Sequence, residues 1–153
     1  KTAKDREVLQ TSIRGIEKKP LPHLLCTTNL MLHGFDLPAV RRDNLLSKPY
    51  ADWGTKDKLD IVLSNPPFGT AKGGGGPTRE DFTYKTSNKQ LAFLQHIYRG
   101  LKPGGRAAVV LPDNVLFEAG VGTDIRQDLM NKCNLHTILQ VCHGINPCSI
   151  LIM

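Results

Sequence analysis

The sequence predicts an α/β fold with a mostly parallel sheet covered on both faces. Three observations carry that reading. Apolar runs at residues 59–63 and 106–111 are bounded by turn residues and read as buried strands. Segments with helical spacing lie between the strand candidates. Strands that alternate with helices at short intervals form βαβ units, whose crossovers join parallel strands.

The elements follow in chain order. Residues 1–5 do not form a secretion signal. There is no initiator Met, so the chain is expected to be a fragment or a processed piece. Residues 12–17 are a short strand candidate that ends in an acid, Glu17. Pro20 allows a helix start. Leu21, Leu24, Leu25, Thr28 and Leu32 then recur at helical spacing, and Gly34 suits the C-cap. Residues 39–41 form a second short strand, followed by Asp43. Residues 49–58 are loop, and 59–63 are strand. Residues 69–86 lack periodicity and carry Gly73-Gly74-Gly75-Gly76-Pro77, so they read as a mobile glycine-rich loop. Residues 88–101 form a helix with Leu91, Phe93, Leu94, Ile97, Tyr98 and Leu101 as its apolar positions. Pro103-Gly104-Gly105 is a turn. Residues 125–132 are helical, 135–141 are strand, and 149–153 are one more strand. No repeat or linker interrupts the chain, so residues 1–153 read as one partial domain.

The chain has 153 residues, 40% hydrophobic and 22% charged, an ordinary globular composition. Its net charge of +6 fits a polyanion such as nucleic acid, or simply a solvated basic surface. No apolar run approaches the ~20 residues that span a bilayer. Cys26, Cys133, Cys142 and Cys148 form no C-x-x-C pair and read as reduced thiols. Cys142, His143 and Cys148 match no common zinc spacing, so no metal site is expected.

The most telling residues are Asn65-Pro66-Pro67-Phe68, directly after a strand. Neither proline can donate to a sheet ladder, and each stiffens the residue before it. The chain must leave the sheet here as a rigid lip. That is the carboxyl edge, where open α/β sheets bind ligands. A plain Asn-Pro turn is the alternative. The lip presents an amide, free carbonyls and an aromatic ring. Methylation of an exocyclic amine suits that set. The amine lone pair is delocalised into its ring, so the nitrogen is a poor nucleophile. An Asn side-chain oxygen and a proline carbonyl can each accept an N–H from it, which favours a pyramidal nitrogen. Phe68 can stack on a base taken out of its duplex.

Two acids end early strands. Glu17 can take a ribose hydroxyl pair, or it is an ordinary surface Glu before a loop. Asp43 can accept from an adenine amine, or it caps the turn at Asn44-Leu45-Leu46. The tetraglycine lacks the strand, motif and helix context of a phosphate cradle and reads better as a hinged loop over the site. Lys72, Arg79 and Lys85 are candidate contacts to DNA phosphates, or a solvated basic loop. His96 and His136 read as satisfied structural residues.

Longer stretches extend the pattern. Residues 60–69 read D-I-V-L-S-N-P-P-F-G, and residues 86–97 read T-S-N-K-Q-L-A-F-L-Q-H-I. Residues 101–118 read L-K-P-G-G-R-A-A-V-V-L-P-D-N-V-L-F-E, and residues 124–139 read D-I-R-Q-D-L-M-N-K-C-N-L-H-T-I-L. From about Ser12 to about Leu139 the chain resembles the methylation subunits of type I restriction-modification systems. These are N6-adenine DNA methyltransferases that use S-adenosylmethionine. The resemblance implies a Rossmann-like methyltransferase fold. It also implies that Asn65, Pro66, Pro67 and Phe68 form the catalytic motif around a flipped adenine. Glu17 matches the acid for the cofactor ribose, Asp43 the acid for the cofactor adenine, and Asn65 also borders the cofactor. Asn88 sits near the methionine end or the target base, and Arg106 begins a family strand. The implied partners are DNA, a specificity subunit and a motor-nuclease subunit, in the cytoplasm.

Two departures qualify the resemblance. The family's glycine-rich cofactor loop, F-x-G-x-G-like, and the strand that carries it have no match here. The sheet is therefore expected to be incomplete, the fragment alone inactive, and its exposed edges open to self-association. After Leu139 the family continues with an L-P-T-G-I-F-like segment, where this chain reads Val141-Cys142-His143-Gly144-Ile145-Asn146.

Overall fold

The computed structural model describes residues 2–47, 49, 52, 54–68, 79–141 and 148–153. They fall into two compact units, Lys1–Lys48 and Pro49–Met153.

The first unit contains α1 (Ala3–Ser12), β1 (Arg14–Ile16), α2 (Pro20–Leu32) and β2 (Ala39–Arg41). The sequence reading did not anticipate α1. Its signal is a capping box: Thr2 Oγ1 accepts from the Asp5 N–H at 3.2 Å, and the Asp5 carboxylate accepts from the Thr2 N–H at 2.7 Å. Pro20 opens α2, where its missing N–H costs nothing. Gly34 closes it with a φ of 89°. The Phe35 N–H reaches Leu30 O at 3.1 Å and the Gly34 N–H reaches Met31 O at 3.0 Å, a Schellman closure. β1 and β2 pair in parallel, Arg14 opposite Ala39 and Ile16 opposite Arg41, with α2 as the crossover. Neither helix buries a residue. The stripe on α2 stays exposed, Leu32 to 81%.

The second unit holds β3 (Leu59–Ser64), α3 (Lys89–Gly100), β4 (Leu101–Pro112), α4 (Asn114–Phe117), α5 (Val121–Lys132), β5 (Thr137–Val141) and β6 (Cys148–Ile152). The strand order is β3-β4-β6-β5. β3 and β4 are parallel, whereas β6 runs antiparallel to both β4 and β5. The expected turn at Pro103-Gly104-Gly105 is a bulge inside the long β4. Register passes from Leu59↔Leu101 to Ile61↔Arg106, so three extra residues loop out of β4. Gly104 has a φ of 75° there. A Cβ on Gly105 would lie 2.9 Å from Lys102 O and 3.0 Å from Leu59 O.

Helices α3 and α5 cover one sheet face. Leu91, Leu94 and Ile97 of α3 and Ile125 and Leu129 of α5 form a buried core with Ala107, Val109, Leu111 and Leu151. The opposite face corrects the expectation that β3 is buried and that both faces are covered. Ile61 is exposed and Leu63 is 80% exposed. β3 is an edge strand in this order, and its outer edge has no strand partner among the described residues. No described helix is long and apolar enough to cross a membrane.

Candidate active site

β3 delivers Asn65 straight from the sheet. Leu63 and Ser64 still pair with Ala108 and Val109, and the ladder ends where the prolines begin. Pro66 is buried, while Asn65 and Pro67 are exposed. Phe68 is 51% exposed, an unusual position for an aromatic ring that a core could have taken. Asn65 also borders an open recess of about 390 Å³ with Leu63, Ser64, Ala108, Val110 and Ile150. The wall is almost wholly apolar, and Asn65 stands beside it on the open face of the sheet.

Topology brings other residues to this edge. β3 and β4 are parallel, so the crossover helix α3 must start at the carboxyl edge and end at the other. Asn88, the N-cap of α3, therefore lies on the same edge as residues 65–68, as do the residues that leave β4. Among these, Asp113 latches the last two strands. Its carboxylate accepts from the buried Ser149 hydroxyl at 2.6 Å and from the Gln140 amide at 2.9 Å. Those two bonds, Ser149 first, hold the Asp113 carboxyl below the usual range.

Asn88 is nearly buried. Its Oδ1 accepts from the Gln90 and Leu91 N–H groups at 2.9 and 3.3 Å, and its Nδ2 donates to Glu118 at 2.6 Å. Asn88, expected near the methionine end or the target base, thus caps α3 and bonds to a side chain within the protein. Glu118 is a residue that sequence reading passed over. It lies inside the stretch L-P-D-N-V-L-F-E, but its partner is 30 residues away.

Arg79 corrects a second expectation. Its side chain is 2% exposed and cannot serve as a phosphate contact at the surface. It pairs with Asp81 at 2.5 Å, stacks over the Phe82 ring at 4.4 Å and donates to His96 Nδ1 at 2.9 Å. Burial, then the nearby guanidinium, pushes His96 down to about 4, so the ring is neutral and able to accept.

Residues 79–86, the described part of the loop expected over residues 69–86, form no helix or strand and are tied to α3. Tyr84 exchanges two backbone bonds with the Gln95 side chain, at 3.2 and 2.9 Å, and Arg99 reaches Asp81 O and the Thr83 hydroxyl. Lys85 is exposed. Residues 69–78, with the tetraglycine and Lys72, lie outside the described residues, as do Cys142 and His143. Among the described residues no group of three or more His, Cys, Asp or Glu could hold a metal ion.

In the first unit the structure brings Glu17 and Asp43 to adjoining strand ends. The Glu17 N–H donates to Arg41 O at 3.0 Å and the Asp43 N–H donates to Glu17 O at 3.2 Å. Asp43 is exposed and Glu17 is half-buried. One Glu17 oxygen accepts from the Lys19 N–H at 2.7 Å, and one Asp43 oxygen accepts from the Asn44 N–H at 2.7 Å. Each acid thus uses one oxygen to shape its loop.

These features were compared with known proteins. The N-6 DNA methylase family model matches residues 1–150. The type I restriction enzyme EcoEI methylase subunit of Escherichia coli is 46% identical over 151 residues, covering 96% of this chain and 30% of that protein. The EcoKI methylase subunit of Escherichia coli K12 is 49% identical over 136 residues, covering 86% of this chain and 25% of its own length. The crystal structure of the EcoKI M protein superposes with a TM-score of 0.86 and 42% identity, over 99% of this chain and 33% of that one. The chain thus spans about a quarter to a third of the relatives it matches. With a model match that spans nearly its whole length and relatives nearly half identical to it, this chain belongs to the N-6 DNA methylase family.

Proposed function

We propose that this chain supplies the target-base lip and the adenosine-binding strand ends of a type I modification methyltransferase. The reaction is methyl transfer from S-adenosylmethionine to the exocyclic N6 amine of adenine in DNA. One observation carries the reading. Asn65-Pro66-Pro67-Phe68 leaves β3 at the carboxyl edge with its amide and ring turned to solvent, in a chain of the N-6 DNA methylase family.

The residues present fit part of the cofactor. Glu17 and Asp43 stand on neighbouring strand ends, and each has a second carboxylate oxygen to offer a hydroxyl or an amine. The cofactor supplies an electron-poor methyl carbon. The protein's task is positioning, which can account for most of the barrier reduction in a transfer between aligned reactants. The Asn65 oxygen accepts one N–H of the target amine and the Pro66 carbonyl accepts the other. Phe68 stacks on the extruded base, a contact of about 1–3 kcal/mol. The exposed Lys85 offers charge to phosphates, and Lys72 brings another basic side chain from the same connection. DNA sequence is read by a separate specificity subunit, cleavage belongs to a motor-nuclease subunit, and the complex works in the cytoplasm.

The test is radiolabelled methyl transfer to unmethylated DNA by the full gene product with its specificity partner. Label in N6-methyladenine, lost at least a hundredfold in Asn65→Ala, is the expected result. Label in RNA or protein instead would assign another amine or amide substrate. An Asn65→Ala protein with intact activity would remove Asn65 from the chemistry.

A further inference from the structure

We propose that Glu118 is a positioning residue for methyl transfer, acting through the Asn88 amide. The inference rests on the function proposed above. Capping α3 requires only an oxygen, and Ser or Thr would cap it without leaving a second polar atom. Asn88 brings an NH₂ group as well, at 7% exposure, where an unmet donor is costly. Glu118 meets it with a 2.6 Å charge-assisted bond.

The site that holds Glu118 is built for close approach. A Cβ on Gly122 would fall 2.9 Å from Glu118 Cβ and 3.2 Å from its Cγ, so only glycine lets the first turn of α5 come this near. Arg126 then fastens α4 by donating to Val115 O at 2.9 Å. The Glu118 N–H closes α4 on Asn114 O at 2.9 Å.

The clamp spans the carboxyl edge. On one side is the far end of the connection that begins with Asn65, whose last residues are tied by the Asn88 N–H to the Thr86 hydroxyl at 3.0 Å. On the other is the corner that follows β4, the strand paired with β3. Glu118 therefore ties the start of α3 to the corner that follows β4, the strand on which β3 and its lip are registered. Holding α3 and β4 together at the carboxyl edge restricts how the lip on that edge meets the base. Small losses of alignment are costly in rate when catalysis is positional.

The experiment uses the full gene product with its specificity partner and measures kcat and KM separately. Glu118→Ala should lower kcat about tenfold, equivalent to about 1.4 kcal/mol, with KM for S-adenosylmethionine and the affinity for DNA within about twofold of wild type. Asn88→Asp keeps the cap but sets two carboxylates against each other, and should fall at least as far. The swapped pair Asn88→Asp with Glu118→Gln restores one donor and one acceptor, and should recover kcat to within about threefold. Unchanged kcat in Glu118→Ala overturns the inference. So does a swapped pair that is no better than Asn88→Asp, or a loss that follows only the melting temperature. Wild-type protein that transfers no methyl group to adenine refutes the underlying function instead, and is distinct from all three.

Discussion

The two units answer the same kind of sequence in opposite ways. α2 carries leucines at helical spacing as α3 does, yet Leu21, Leu24, Leu25 and Leu32 are exposed. On α3, Leu91 and Leu94 are sealed between α5 and the sheet. In Lys1–Lys48 only Phe35 and Leu46 are buried among the described hydrophobic residues, whereas Pro49–Met153 holds a continuous core. Periodicity marks which face of a helix seeks cover. It does not supply the cover. The same contrast recurs within the second unit, where the face of β4 bearing Ala107, Val109 and Leu111 is packed and the face beside Leu63 lies open.

The contrast can be pressed hardest at Leu94. Leu94→Ala should cost about 2–5 kcal/mol in denaturant unfolding, because a sealed site cannot collapse around the lost methyls. A cost under 1 kcal/mol would mean the core is looser than its burial shows.

A pH titration reaches the same unit through His96. Its folded value is about 4 against 6.5 when unfolded. Stability is therefore full above pH 6.5, falls as pH drops towards 4 while the unfolded chain takes up a proton the folded one refuses, and is flat below. The loss is on the order of 3 kcal/mol. His96→Gln keeps an acceptor for Arg79 and should flatten that slope. An unaltered slope would assign it to other groups.

A smaller effect comes from the tie between α3 and α5. The Tyr98 hydroxyl donates to Asp128 at 2.7 Å, and Lys132 pairs with the same carboxylate at 2.7 Å. Burial, then Asp128, holds the Tyr98 hydroxyl firmly protonated. Tyr98→Phe should cost about 1–2 kcal/mol, with the remaining ion pair limiting the damage. At the bottom of the scale, Leu24→Ala on α2 should stay within about 0.5 kcal/mol, as exposed sites do. A loss above 2 kcal/mol would show by calorimetry or denaturation that α2 is covered in solution, and would erase the contrast.

The legible parts of this protein were those written locally. Two prolines after an apolar run marked where β3 ends and the lip begins. Pro20 and Gly34 bracketed α2, and Asn88 marked the start of α3. α1 was missed: Thr2 and Asp5 mark its start, but its mixed surface hid the period. Asn65 and Phe68 were visible as a candidate site because the motif is contiguous, and Glu17 and Asp43 because each ends its strand. Arg79 misled because a basic residue beside a glycine-rich loop looks like a phosphate contact. Its partners are Asp81 and Phe82 nearby, but also His96 on the buried side of α3.

What the sequence alone determined is therefore local: prolines end strands, caps start helices, and spacing marks apolar faces, because each acts over a few residues of covalent chain. Tertiary structure alone decided which apolar face found cover, that Arg79 turned inward, that Pro103-Gly104-Gly105 became a bulge rather than a turn, and that Glu118 met Asn88. Those outcomes depend on groups far apart in the chain that only folding brings within a few ångströms. At that distance the cost of burying a charge or donor is set by whether a partner is there to meet it.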